Sequence, residues 1–195
     1  MFVKTNSIMR KISFIIVIII FLANNNSFAQ FSNFQSHFNK VTLPFITKAN
    51  SFDVWASEDP YLISEDEFKT FLLYQGDSFL VVKNSLKLKK SGYSDYFSVG
   101  KFTLNDNFIC LLYYRTFMTN ENQFLFELMI TVFNQNGNLI SSLPISGLNT
   151  KNNEVFYCNI EKDKTIIIKY FIFPDEEFKY QKNYSISSNG YIVEK

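Results

Sequence analysis

The sequence is poor in the residues on which most metal and enzyme sites depend. Its 195 residues include one histidine, His37, and two cysteines. Zinc sites draw their ligands mainly from His and Cys, and in most Ser-His-Asp triads a histidine is the base. With no second histidine to join it, His37 is interpreted as an ordinary, solvent-facing or partly covered side chain. The sequence predicts neither a metal nor a cofactor.

Sequence motifs of the common enzyme classes are also missing. No G-x-S-x-G, C-x-x-C, H-E-x-x-H, G-x-G-x-x-G, P-loop or D-x-D-x-D-G calcium loop occurs. A carboxylate-dependent hydrolase acting on an extracellular polymer stays as an alternative, because a glycosidase needs only two acids close together in space. Glu127 interrupts an apolar strand, and Asp175, Glu176 and Glu177 fill a loop. We interpret all four as solvent-facing charges, so the balance favours a protein that is not an enzyme.

The chain has no excess of positive charge. Three of the 19 basic residues and none of the 18 acidic ones lie in residues 1–29, so the remainder carries a formal net charge of −2. Nucleic-acid-binding domains are usually strongly basic. No nucleic-acid partner is therefore predicted.

Residues 1–29 have the pattern of a signal peptide. Arg10 and Lys11 precede an apolar run over residues 12–23, and Ser27-Phe28-Ala29 places small residues at the −3 and −1 positions of a cleavage site after Ala29. The run is shorter than the roughly 20 residues that a membrane-spanning helix needs, so no stable span is expected after cleavage. In its ending, S-F-A-Q, this leader resembles those of many bacterial exported proteins. The protein is predicted to be periplasmic or secreted, with residues 30–195 as a single β-rich domain.

What the chain does contain is a series of alternating apolar segments separated by short turns. The clearest runs from Phe124 to Ile145, where apolar residues fall on every second position of the first strand: Phe124, Phe126, Leu128, Ile130 and Val132. Asn136-Gly137 predicts a two-residue type I′ turn. In that register Ile130 lies opposite Leu143 and Leu128 opposite Ile145, and Met129 and Thr131 occupy the less buried face.

Further strands are predicted along the rest of the chain. Asn189-Gly190 predicts a second two-residue turn, with Ile186 opposite Val193. In residues 79–90, lysines on one side of the predicted strand face apolar residues on the other, which is typical of an exposed edge strand. Residues 147–154 are predicted to form a polar loop. Residues 108–114 are apolar on both faces, which indicates a central strand covered by a helix.

Two short helices precede most of the strands. Phe31, Phe34 and Phe38 have helical spacing within residues 31–40. Ser64 and Glu67 form an S-x-x-E capping box that starts the second helix, and Gly76 is placed to end it.

These elements predict an α+β fold that is mostly β: two short N-terminal helices packed on an antiparallel meander of eight to nine strands. The chain thereby resembles the small exported β-meander proteins of bacteria that have no assigned activity. The alternative is a closed up-and-down β-barrel, similar to the lipocalins in size and strand count, although Trp55 follows Asp53-Val54 in place of their G-x-W motif.

Cys110 and Cys158 both lie in predicted strands. In an open meander their strands are three apart, or about 14 Å, which exceeds the roughly 4.4 to 6.8 Å between Cα atoms that a disulfide requires. Only a sandwich or a closed barrel would bring the two together. The sequence leaves their pairing open.

The aromatic residues suggest one candidate binding surface. Core packing is the favoured interpretation of these rings, but on an uncovered sheet face they would form an apolar surface that can stack on a ligand. The function that fits best is a non-catalytic binding or interaction module with a protein, peptide or glycan partner. The candidate surface residues are Tyr113, Tyr114, Phe117, Tyr157, Tyr170, Phe171 and Phe173.

Overall fold

The computed structural model describes residues 29–47, 60–74, 93–118, 124–149 and 152–195. The predicted edge strand at 79–90, the predicted helix end at Gly76 and Trp55 lie outside these ranges. Helix α1 covers residues 29–36, and α2 begins with an α-helical turn at Glu65–Glu67 and continues as a π-helical turn over Phe68–Leu72. The strands are β1 Phe45–Ile46, β2 Tyr93–Asn105, β3 Phe108–Met118, β4 Phe124–Asn134, β5 Leu139–Asn149, β6 Glu154–Ile160, β7 Ile166–Ile172, β8 Glu177–Ile186 and β9 Ile192–Glu194.

The strands form one antiparallel sheet in meander order. Strands β2 to β9 are neighbours in sequence order, and β1 pairs with β6 outside this path. The mostly antiparallel meander with two short helices is thus confirmed. The alternative of a closed barrel is wrong, because β2 and β9 stand at opposite ends of the strand order and the sheet does not close.

The inner face of the sheet curls around one core. Leu112 of β3, Ile130 of β4, Ile160 of β6 and Ile168 of β7 are each fully buried and belong to the same hydrophobic cluster. Side chains from the two halves of the meander therefore pack against each other, since alternate residues of each strand point to this side.

The outer face of β2–β4 is covered by the helices. Phe31, Phe34 and Phe38 are at most 2% exposed and pack with Met129 and Phe133 of β4. The capping box stabilises the first turn of α2: Ser64 Oγ accepts from the Glu67 backbone N–H at 3.2 Å, and the Glu67 carboxylate accepts from the Ser64 N–H at 2.9 Å. The predicted covering of this part of the sheet is therefore observed.

Both helices are shorter than predicted. α1 ends at residue 36 rather than 40, because the chain then runs beside β2, where Val41 N–H donates to the Lys101 carbonyl. In α2, Leu73 already has extended backbone angles after Leu72, so this helix ends earlier than predicted.

The predicted type I′ turn at Asn136-Gly137 is also wrong. Gly137 N–H donates to the Asn134 carbonyl and Asn134 N–H to the Asn138 carbonyl, each at 3.0 Å, which makes a three-residue loop. Gly137 has a φ of 80°, whereas Asn136 is not among the residues with positive φ. This is a type I turn followed by a left-handed glycine. The Asn134 side chain favours it by accepting from the Asn136 and Asn138 N–H groups.

Two bulges then change the register of the hairpin. The first, between Val132 and Phe133, restores the predicted pairing, so Ile130 does face Leu143. The second, between Leu128 and Met129, shifts it again, and Leu128 faces Ser146 instead of Ile145. Strand β5 also extends to Asn149, so part of the predicted loop at 147–154 is strand.

The last hairpin repeats the same loop without a corrective bulge. Ser187 N–H donates to the Tyr191 carbonyl at 2.8 Å, and Gly190 has a φ of 83°. Ile186 therefore pairs with Ile192, and the predicted pairing with Val193 is wrong by one residue.

The loop geometry predicts different effects for the two residues of the Asn-Gly pair. Gly137→Ala should destabilise the protein by about 1–3 kcal/mol, since alanine is strained at positive φ and its Cβ would lie 2.5 Å from the Phe31 ring. Asn136→Ala, at an exposed position with ordinary φ, should cost less than about 0.5 kcal/mol. Chemical denaturation measures both, and equal losses would contradict the three-residue loop.

The two-sided covering of β4 predicts equal effects on its two faces. The expectation that Met129 and Thr131 are less buried is wrong: both are fully buried, as are Leu128 and Ile130. Leu128→Ala and Met129→Ala should therefore each cost about 2–5 kcal/mol in urea denaturation. Gln181→Ala, at an exposed position, is the control. A loss of stability in Met129→Ala as small as that in Gln181→Ala would contradict the covering of β4 by the helices.

Candidate functional site

The predicted aromatic surface separates into buried and accessible parts. Tyr113, Tyr114 and Phe117 of β3 are at most 4% exposed, as the core-packing interpretation expected. Tyr170 of β7 is partly buried on the inner face, stacked between Phe156 and Tyr180 with ring centroids 5.3 and 4.4 Å away. These four rings contribute to packing rather than to an outward surface.

The accessible part lies on the outer face of β6–β8. Tyr157 and Phe171 have ring centroids 5.6 Å apart, and Phe171 and Phe178 meet edge to face at 5.9 Å. Phe173 follows directly after β7 and is 40% exposed, and Phe178 is 58% exposed. We refer to Tyr157, Phe171, Phe173 and Phe178 as the outer aromatic patch.

Phe178 is the member that sequence reasoning missed. Its strand was predicted, but its partner on β7 depends on a bulge in β8. Tyr170 pairs with Tyr180 and Phe171 pairs with Phe178, so Lys179 is the extra residue without a partner on β7. Because of this bulge Phe178 pairs with Phe171, and directly opposed residues share a sheet face. Only the register could have revealed the contact, and the register was not readable from the alternation of apolar residues.

The turn between β7 and β8 places carboxylates beside these rings. Asp175, Glu176 and Glu177 are all exposed, which confirms their interpretation as solvent-facing charges. Tyr157 Oη donates to Glu176 Oε1 at 3.1 Å. Burial, and then this hydrogen bond, raises the pKa of Tyr157, so its hydroxyl stays protonated and remains a donor at neutral pH.

Glu127 is buried and ion-paired, so its interpretation as a solvent-facing charge is wrong. Arg115 and Glu127 face each other across β3 and β4, and Glu127 Oε2 accepts from Arg115 Nη2 at 2.6 Å and from Nε at 2.9 Å. Arg115 is fully buried and Glu127 is 5% exposed. Because Arg115 and Glu127 are buried, water does not solvate the Glu127 carboxylate, and Arg115 compensates its charge instead.

His37 stacks on an aromatic ring instead of joining a catalytic group. Its ring lies 3.9 Å from the ring of Tyr61, and the two planes are within 7° of parallel. Tyr61 Oη donates to Glu67 Oε1 at 2.7 Å, which raises the pKa of Tyr61 to about 12. Burial alone would raise the pKa of Glu67, but the hydrogen bonds from Tyr61 and Ser64 outweigh it and lower that pKa. The arrangement anchors α2 next to α1.

The cysteines are not paired. Cys110 and Cys158 are free thiols buried in the inner core. Burial raises the pKa of Cys158 to about 12 and raises that of Cys110 as well. Both remain protonated at neutral pH, and a protonated thiol is a poor nucleophile and a poor metal ligand.

Within the described ranges, no group of three or more His, Cys, Asp or Glu side chains could hold a metal ion. In the same ranges, no helix has both the length and the apolar character to cross a membrane.

Comparison of the chain with protein-family models, with curated proteins and with solved structures found no match.

The buried ion pair makes a prediction about stability. Glu127→Gln should cost about 3–5 kcal/mol, because it removes one charge of a buried, hydrogen-bonded ion pair while the Arg115 guanidinium stays buried. The exposed pair Lys182–Glu194, at 3.0 Å, is the matched control: Glu194→Gln should cost less than about 1 kcal/mol. Urea denaturation near neutral pH measures both. Similar losses for the two variants would contradict the burial of the Arg115–Glu127 pair.

Proposed function

We propose that this protein is an exported, non-catalytic binding module that holds its partner on the outer aromatic patch. The observation that carries the proposal is the contact of the exposed Phe178 ring with the partly buried Phe171 ring, which in turn contacts Tyr157. Single exposed apolar residues are common on protein surfaces, whereas contiguous apolar patches usually mark interaction sites. Phe178 and Phe173 are the accessible members, and Phe171 joins Phe178 to Tyr157.

Rigid backbone around the patch supports the same proposal. The turn after Ile172 is closed by a hydrogen bond from Glu176 N–H to the Ile172 carbonyl at 2.7 Å, and Phe173 N–H donates to the Asn153 carbonyl at 2.9 Å. Aromatic side chains have only two rotatable bonds. Rings held on a sheet therefore lose little conformational entropy when a partner binds.

Export is the part of the proposal that rests on sequence. Basic residues, a short apolar run and the small residues before Gln30 follow one another in the order of a signal peptide. The resemblance to small exported bacterial β-meander proteins fits this location, in the periplasm or outside the cell.

The alternative of a carboxylate-dependent hydrolase has less support. Such an enzyme needs a carboxylic acid whose pKa is raised, so that it can donate a proton. Glu127 is bound to Arg115 in the core, and the pKa values of Glu67 and Asp163 are both lowered. In Asp163 the main cause is hydrogen bonding from Thr165 within a turn. These three carboxyl groups serve stability rather than catalysis.

The binding proposal predicts ligands that depend on Phe178. A random-peptide phage library and a panel of soluble oligosaccharides are selected on the wild-type domain beginning at Gln30. The affinity of each recovered ligand is then measured for wild type, Phe178→Ser and Tyr191→Ser. We expect a loss of roughly tenfold or more for Phe178→Ser, because truncated aromatic anchors dominate interface energies.

Tyr191→Ser is the matched control, since Tyr191 is 53% exposed and lies outside the patch. Thermal unfolding establishes that both variants are folded. Recovered ligands that bind Phe178→Ser as tightly as wild type would show that the patch is not the binding surface. Failure of both libraries to give any ligand would overturn the proposal.

A further inference from the structure

We infer that the partner of the outer aromatic patch is a cationic, apolar peptide segment, one that presents arginine or lysine next to hydrophobic side chains. This inference rests on the proposed binding function and specifies its partner.

The charges around the patch are unequal. Glu176 contacts the patch through Tyr157, Asp175 precedes it in the β7–β8 turn, and Glu177 begins β8 opposite Ile172, on the inner side of the sheet. Among the described residues none of these three exposed carboxylates has a basic side chain within 4 Å. Lys179 is neutralised by Glu154 at 2.7 Å. Among the described residues near the patch, this leaves Lys169, on the outer face opposite Tyr157, against these three carboxylates.

One acidic side chain, Glu176, is placed where a cation over the rings would meet it. Glu176 is held at the patch by Tyr157 Oη, which uses only the Oε1 atom of the carboxylate. An arginine guanidinium can lie flat on an aromatic ring while its N–H groups donate to a neighbouring carboxylate. The Tyr157 and Phe171 rings, and the Glu176 carboxylate that Tyr157 Oη holds beside them, offer both contacts to a single side chain.

The same charge distribution argues against other partners. An acidic peptide, a nucleic acid or an anionic membrane surface would bring negative charge to a border that is already negative, and like charges across an interface are costly. A neutral oligosaccharide could stack on the rings and donate hydroxyl hydrogen bonds to the carboxylates, but it would leave their negative charges uncompensated. The apolar rings and the acidic border are satisfied together by a basic amphipathic segment.

The test compares capped ten-residue peptides that alternate leucine with arginine, serine or glutamate, together with a soluble neutral oligosaccharide. Binding is measured at low and at physiological salt to wild type, to Asp175→Asn/Glu176→Gln/Glu177→Gln and to Phe178→Ser. The Arg–Leu peptide should bind wild type most tightly. The triple variant should lose roughly tenfold or more of this affinity at low salt, together with most of its salt dependence. Phe178→Ser should also lose roughly tenfold.

The control variant Glu65→Gln/Asp66→Asn removes two exposed carboxylates from α2 and should bind the Arg–Leu peptide like wild type. Equal loss in this control would show non-specific attraction to negative charge and would overturn the inference. Ser–Leu, Glu–Leu or oligosaccharide binding as tight as that of Arg–Leu, and dependent on Phe178, would overturn the cationic partner while supporting the binding module. If wild type binds none of these peptides and no oligosaccharide, both the cationic partner and the binding module are overturned.

Discussion

The structure depends on the burial of β3 and β4 from both sides. Inward residues such as Leu112 and Ile130 pack in the curled inner core, and outward residues such as Met129 and Phe133 pack under the two helices. A strand pair in this position has few accessible side chains, so polar groups in it must find partners within the protein. The Arg115–Glu127 pair meets this requirement, since each residue lies directly opposite the other.

The second half of the sheet is built differently. Strands β6–β8 contribute to the inner core, but in the described residues the two helices pack on the outer side of the first half. The outer face of β6–β8 therefore carries accessible rings, and the acidic β7–β8 turn lies at its end. The division between a covered half and an uncovered half separates the residues that stabilise the fold from those we propose to bind a partner.

The turns show how a local pattern can be recognised correctly and still mislead. Asn136-Gly137 and Asn189-Gly190 do mark hairpins, as expected. In both, however, the residue that starts the turn, Asn134 or Ser187, accepts hydrogen bonds through its side chain and favours a three-residue loop. Lys164, with a φ of 69°, takes the glycine position of a third such loop. Loop length changes the register by one residue, and bulges decide whether the change persists.

The sequence by itself determined most of the elements of this protein and the order of β2–β9. Alternating apolar residues specify strands, short turns specify antiparallel neighbours, and Ser64 with Glu67 specifies a helix start. These are local signals, because each depends on residues only a few positions apart. The buried state of Glu127, the pairing of Phe178 with Phe171 and the separation of Tyr113 from Tyr157 were decided only by the tertiary structure. Each depends on which distant segment covers a sheet face and on where a bulge shifts the register, and neither is encoded within one strand.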